Sequence, residues 1–149
     1  MNNALIISGG TGTRMRGDLS KQYLEVAGKL IFAYCTGSLL EHDRIDAIQV
    51  VAVPLWQEKI LRWNKRRTSC LIEGSSLWEK NFKGFSDPGE SRQLSIYHGL
   101  EDIGGCADDA DYVFIHDVAR PLLSADMITE CLDGALEHAG FANEGYGLL

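Results

Sequence analysis

The residues best suited to chemistry open the chain. Ser8-Gly9-Gly10-Thr11-Gly12-Thr13-Arg14-Met15 is a glycine-rich turn entered from a short apolar run. Glycine accepts positive φ and brings no side chain, so backbone N–H groups in such a turn can reach phosphate oxygens. Met15 stands where a dinucleotide fingerprint has its third glycine, and no Gly-Lys-Ser or Gly-Lys-Thr follows, so by itself the turn fits a structural role as well as a phosphate site. Arg14 and Lys21 lie within one loop of the glycines. A forked guanidinium and a compact ammonium suit a polyphosphate whose charge shifts during phosphoryl transfer.

Two further segments carry chemistry. In Val113-Phe114-Ile115-His116-Asp117-Val118-Ala119-Arg120-Pro121 an apolar run ends in a carboxylate. Asp117 is suited to a hard divalent cation such as Mg²⁺, which bridges one carboxylate to substrate phosphates; an Asp117–Arg120 pair fixing the turn is the compatible structural reading. His116 is given no catalytic role. In Pro88-Gly89-Glu90-Ser91-Arg92-Gln93-Leu94-Ser95 a glycine loop opens onto a helix, whose free N–H groups favour anions. Such a loop could grip ribose, base or phosphate, and Ser91 could equally be only a helix cap.

The elements that must position these residues alternate. Ala4 to Ser8 and Ile48 to Val53 read as buried strands, Ser69 to Glu73 as a third and Tyr112 to Ile115 as a fourth. Ile31 to His42 (stripe Ile31, Cys35, Leu39), Leu55 to Arg67, Ser91 to Ile103 (Ile96, Leu100, Ile103) and a segment after Ser124 (Ile128, Leu132, Leu136) carry helical spacing of apolar residues, with Ser124 as N-cap. The cations at Lys65, Arg66 and Arg67 suit a helix C-terminus. Gly74 to Gly89 reads as a loop-like insert whose Leu77, Trp78, Phe82 and Phe85 cover the core. Alternating elements with continuous apolar strands predict an α/β fold: a Rossmann-like, mainly parallel sheet with helices on both faces. Such sheets bind ligands beyond the carboxyl ends of their strands, where Gly9 to Arg14 and His116 to Arg120 fall.

Composition narrows the function. With 149 residues, 45% hydrophobic and 23% charged, the chain suits one folded domain, taken as residues 1–140 with an irregular tail at 141–149. No apolar run reaches the roughly 18 to 20 residues needed to cross a bilayer, and no secretory leader is recognisable, so a cytoplasmic protein without membrane attachment is expected. Cys35, Cys70, Cys106 and Cys131 form no Cys-x-x-Cys pair, which favours reduced core thiols over a zinc or redox site. The net charge of −7 disfavours nucleic acid, yet residues 1–67 hold ten Lys or Arg against six Asp or Glu, and residues 68–149 four against fifteen. An anionic ligand carrying a metal ion could use both halves.

The ordered segments SGGTGTRM, SKQYLEVAGKLI, GESRQLSIYHGL and FIHDVARP resemble the cytidylyltransferases that act on 2-C-methyl-D-erythritol 4-phosphate, together with relatives acting on ribitol 5-phosphate. The resemblance runs from Ala4 to about His138. It implies a CTP-dependent nucleotidyltransferase of isoprenoid biosynthesis, a homodimer working with Mg²⁺. By that analogy Ile7, Ser8, Gly9, Gly10, Thr11, Gly12, Gly89, Arg92 and Ser95 hold the nucleotide. Asp117 then holds the metal, and Arg14 and Lys21 stabilise the transition state. An oxygen of the polyol phosphate would attack the α-phosphorus of CTP and pyrophosphate would leave, with methylerythritol phosphate favoured over ribitol phosphate as acceptor. Ser20, Leu30 and Val118 depart from the family's usual proline, proline and alanine. The family's dimerisation arm, Asp-Thr substrate loop and late lysine have no counterpart in this sequence, so a C-terminally truncated chain is expected. A nucleotide-binding remnant without turnover is the alternative, and a sugar-nucleotide pyrophosphorylase using UTP or GTP a third reading.

Overall fold

A computed structural model describes residues 1–9, 24–68, 77–105 and 111–138. Four strands, β1 (Asn2–Ile7), β4 (Ala47–Val51), β5 (Phe82–Ser86) and β6 (Tyr112–Asp117), form one sheet in the order β5-β4-β1-β6. Every neighbouring pair in it is parallel. A small antiparallel ribbon, β2 (Glu25–Val26) with β3 (Lys29–Leu30), stands apart from the sheet. The helices are α1 (Ile31–Glu41), α2 (Pro54–Thr68), α3 (Leu77–Asn81), α4 (Arg92–Gly104) and α5 (Ala125–His138). The α/β architecture expected from the alternating pattern is present.

The continuous apolar strands are explained by burial on both faces. In β1, Ala4 and Ile6 point into a core with Phe32, Cys35 and Leu39 of α1, Ile60 of α2, Trp78 of α3, and Ile128, Cys131 and Leu132 of α5. Leu5 and Ile7 point the other way, toward Val51 and Ile103 of α4, with Ile96, Val113 and Ile115 packed beside them. Ser124 caps α5 as expected, its Oγ accepting from Met127 N at 3.2 Å. Cys35 and Cys131 are buried and form no disulfide; Cys70 and Cys106 lie outside the described residues.

Two expectations need correction. The segment 77–86 is not a loop-like insert: it forms α3 and β5, an edge strand among the described residues. Lys83 and Gly84 interrupt its apolar pattern, and an edge strand needs no continuous apolar run because fewer neighbours cover it. Its aromatics do fill the core, with Phe82 stacked on Trp78 at 4.2 Å and edge-on to Phe85 at 4.9 Å. The strand expected at Ser69 to Glu73 lies outside the described residues. The second correction concerns α4, whose buried residues are Ser95, Gly99 and Ile103, while Leu100 is exposed. Small residues face the sheet because the helix lies very close: a Cβ on Gly99 would sit 2.4 Å from Leu5 Cδ1 and 3.1 Å from Val51 Cγ2. In α5 likewise Leu136 falls outside the buried stripe.

Candidate nucleotide site at the switch point of the sheet

The chain runs outward from β1 to β4 and β5, then returns to place β6 on the opposite side of β1. A parallel sheet opens a ligand crevice at such a reversal, beyond the carboxyl ends of the two strands. Here those ends are Ile7 and Asp117, which are register partners. Val118 N donates to Ile7 O at 3.2 Å and Ser8 N to Val51 O at 2.9 Å, so both strands stay tied up to the rim. Ser8 is buried and Gly9 half-buried.

Asp117 is held by its own turn. Ala119 N donates to Oδ1 at 3.0 Å, and Arg120 N donates to the Asp117 backbone carbonyl at 3.0 Å. The turn reading is therefore met by the backbone of Arg120. The guanidinium that faces the carboxylate belongs to Arg92, whose Nε lies 4.0 Å from Oδ2. Buried His116 approaches Arg120 O through Nε2 at 2.9 Å. A carbonyl only accepts, so this nitrogen carries the proton and the ring serves the turn.

The 87–95 segment reaches the same rim from the other side. Gln57 Nε2 donates to Ala52 O at 2.8 Å and approaches Asp87 Oδ1 at 3.4 Å, while His98 Nδ1 meets Asp87 O at 3.0 Å. Pro88 then lies directly over Gly9. Gly89 packs on the first turn of α4 so tightly that a Cβ would sit 2.9 Å from the carbonyl carbon of Leu94. Ser91 is the N-cap, its Oγ accepting from Leu94 N at 3.1 Å. Buried Ser95 braces the loop: its Oγ accepts from Gly89 N at 3.0 Å and donates to Ser91 O at 2.9 Å.

Of the sequence-predicted site residues, Ile7, Ser8, Gly9, Gly89, Arg92, Ser95 and Asp117 thus gather around one crevice. Gly10, Thr11, Gly12, Arg14 and Lys21 lie outside the described residues. Pro88 and Ala119 lie within the motifs read from the sequence but are given no role there; the structure makes them positioning residues, Pro88 against Gly9 and Ala119 N on Asp117 Oδ1. A Pro-Gly pair and the Asx-turn spacing from Asp117 were the available signals.

This arrangement offers an anion a cationic side chain and backbone from two loops, and offers a hard cation one carboxylate. Comparison with known proteins identifies the relatives of the chain. A model described as 2-C-methyl-D-erythritol 4-phosphate cytidylyltransferase matches residues 3–143. The protein of that name from Clostridium botulinum Type A is 30% identical over 131 residues, which cover 85% of this chain and 50% of that protein. A ribitol-5-phosphate cytidylyltransferase from Vibrio parahaemolyticus is 32% identical over 143 residues, covering 93% and 54%. A crystal structure of 4-diphosphocytidyl-2C-methyl-D-erythritol synthase matches with a TM-score of 0.68 at 22% identity, over 93% of this chain and 55% of its own. The chain spans about half the length of the curated relatives it matches.

Proposed function

The chain belongs to the 2-C-methyl-D-erythritol 4-phosphate cytidylyltransferase family, and on that premise we propose that its switch-point crevice binds CTP for transfer of CMP to a polyol phosphate. The observation that carries the reading is the convergence of Gly9, the Gly89–Arg92 loop and Asp117 on one rim. In the reaction an oxygen of the acceptor phosphate forms a bond to the α-phosphorus while the bond to the β-phosphate oxygen breaks, releasing pyrophosphate. A phosphate monoester is already a nucleophile, so positioning and charge neutralisation carry the rate.

Asp117 fits a hard cation that also takes phosphate and water oxygens. Its Oδ1 is committed to the turn, its Oδ2 faces the crevice side occupied by Arg92, and the side chain is 38% exposed. Among the described residues no group of three His, Cys, Asp or Glu side chains could hold a metal, and Asp117 is the carboxylate that the described rim offers to such a cation. Mg²⁺ bound there would neutralise charge on the triphosphate. Arg14 and Lys21, assigned by sequence alone, would stabilise charge on the transferring phosphoryl group.

Both 2-C-methyl-D-erythritol 4-phosphate and ribitol 5-phosphate are candidate acceptors, the first favoured by the family model. The test is pyrophosphate release from CTP with Mg²⁺ and each acceptor in turn. Release that depends on one acceptor supports the proposal and names the substrate; no release with either, together with tight CTP binding, supports a nucleotide-binding unit without turnover. A titration of UTP and GTP against bound CTP checks the base, and preference for either over CTP would defeat the cytidylyl reading. No helix among the described residues is long and apolar enough to cross a membrane. A cytoplasmic homodimer is the setting that the family resemblance suggests, and sedimentation of the protein tests its oligomeric part.

A further inference from the structure

Resting on that reading, we propose that Arg92 is the resting counter-ion of Asp117 and is released to the triphosphate when a cation takes Oδ2. Arg92 is the first residue of α4, and the first turn of that helix carries no acidic side chain. A cation at that end opposes the helix dipole, so local preference does not explain an arginine here. What it faces does: its Nε is 4.0 Å from Asp117 Oδ2, the carboxylate oxygen left over once Ala119 N has taken Oδ1.

A cation bound at Oδ2 and a guanidinium paired there compete for one oxygen. The pair is weak enough to exchange. Both side chains are well exposed, at 43% and 38%, and solvent-exposed pairs of this kind change an equilibrium by about fivefold at most. A released guanidinium, with forked donors matched to phosphate oxygens, starts within reach of the crevice. The arginine thereby passes from one anion to the next.

The exchange is tested by CTP titration of the whole chain in metal-free buffer containing a chelator, using the wild type, Asp117→Asn, Arg92→Gln and the double variant. Asp117→Asn removes the same direct repulsion in both backgrounds, but only the protein with Arg92 has a guanidinium to free. The expected gain in affinity is therefore larger in the wild-type background than in the Arg92→Gln background by about two- to fivefold. Arg92→Lys, which keeps the charge, should retain part of that difference. Equal gains in the two backgrounds overturn the exchange while leaving CTP binding intact. Failure of the wild type to bind CTP even with Mg²⁺ overturns the proposed function, and the exchange with it.

Discussion

Gly9 and Pro88 touch so closely that a Cβ on Gly9 would lie 2.5 Å from Pro88 Cβ. The end of β1 and the loop entering α4 therefore share a surface with no room for a methyl group. Gly9→Ala must push the two apart. The expected cost is about 1–3 kcal/mol of stability, the usual range for overpacking, together with weaker CTP binding because the loop shifts at the crevice. Urea unfolding and a CTP titration measure the two effects; unchanged binding would show that the loop does not form the site.

The packing of α4 on the sheet makes a second prediction. Gly99→Ala gains about 1 kcal/mol of helix propensity but drives a methyl into buried Leu5, whose Cδ1 would be 2.4 Å away. Overpacking of a closed core exceeds the gain, so the variant should unfold at lower urea. A rise in the unfolding midpoint would mean that Leu5 repacks freely.

In the turn joining β2 and β3, Ala27 and Gly28 both have positive φ, at 52° and 73°. This two-residue hairpin loop is the kind that favours Asn-Gly, and a non-glycine residue there costs about 1–2 kcal/mol. Ala27→Asn should recover part of that, about 0.5 kcal/mol or more, readable as a raised thermal midpoint with the CTP affinity unchanged.

Tyr97 Oη donates to Glu101 Oε1 at 2.8 Å. The hydrogen bond and the negative charge of Glu101 raise the phenol above its ordinary value of 10.0. The folded state then holds the proton more firmly than the unfolded one, so this contribution is complete below pH 10 and declines as pH rises through the folded value. Glu101→Gln should shift one tyrosine of the ultraviolet difference titration to lower pH. An unshifted curve would mean that the pair does not persist in solution.

Much of the site was legible before any coordinates. The glycine turn after an apolar strand, the carboxylate ending another and the Pro-Gly loop before a helix are local patterns, set by what backbone and side chains at neighbouring positions can do. Helix α1 was legible for the same reason, although its buried side centres on Phe32, Cys35 and Leu39. Edge strand β5 was hidden because Gly84 and Lys83 weaken its pattern, and what makes it a strand is the waiting edge of β4.

The sequence by itself determined the alternation of elements, the two-sided burial of β1 and the chemistry available at each loop, because those follow from spacing along the chain. Only the tertiary structure decided that β6 returns to the far side of β1, that Arg92 rather than Arg120 faces Asp117, and that Gly9 and Gly99 are contact points for other elements. Those relations join residues remote in the chain, and close packing in three dimensions, which no local periodicity encodes, selects them.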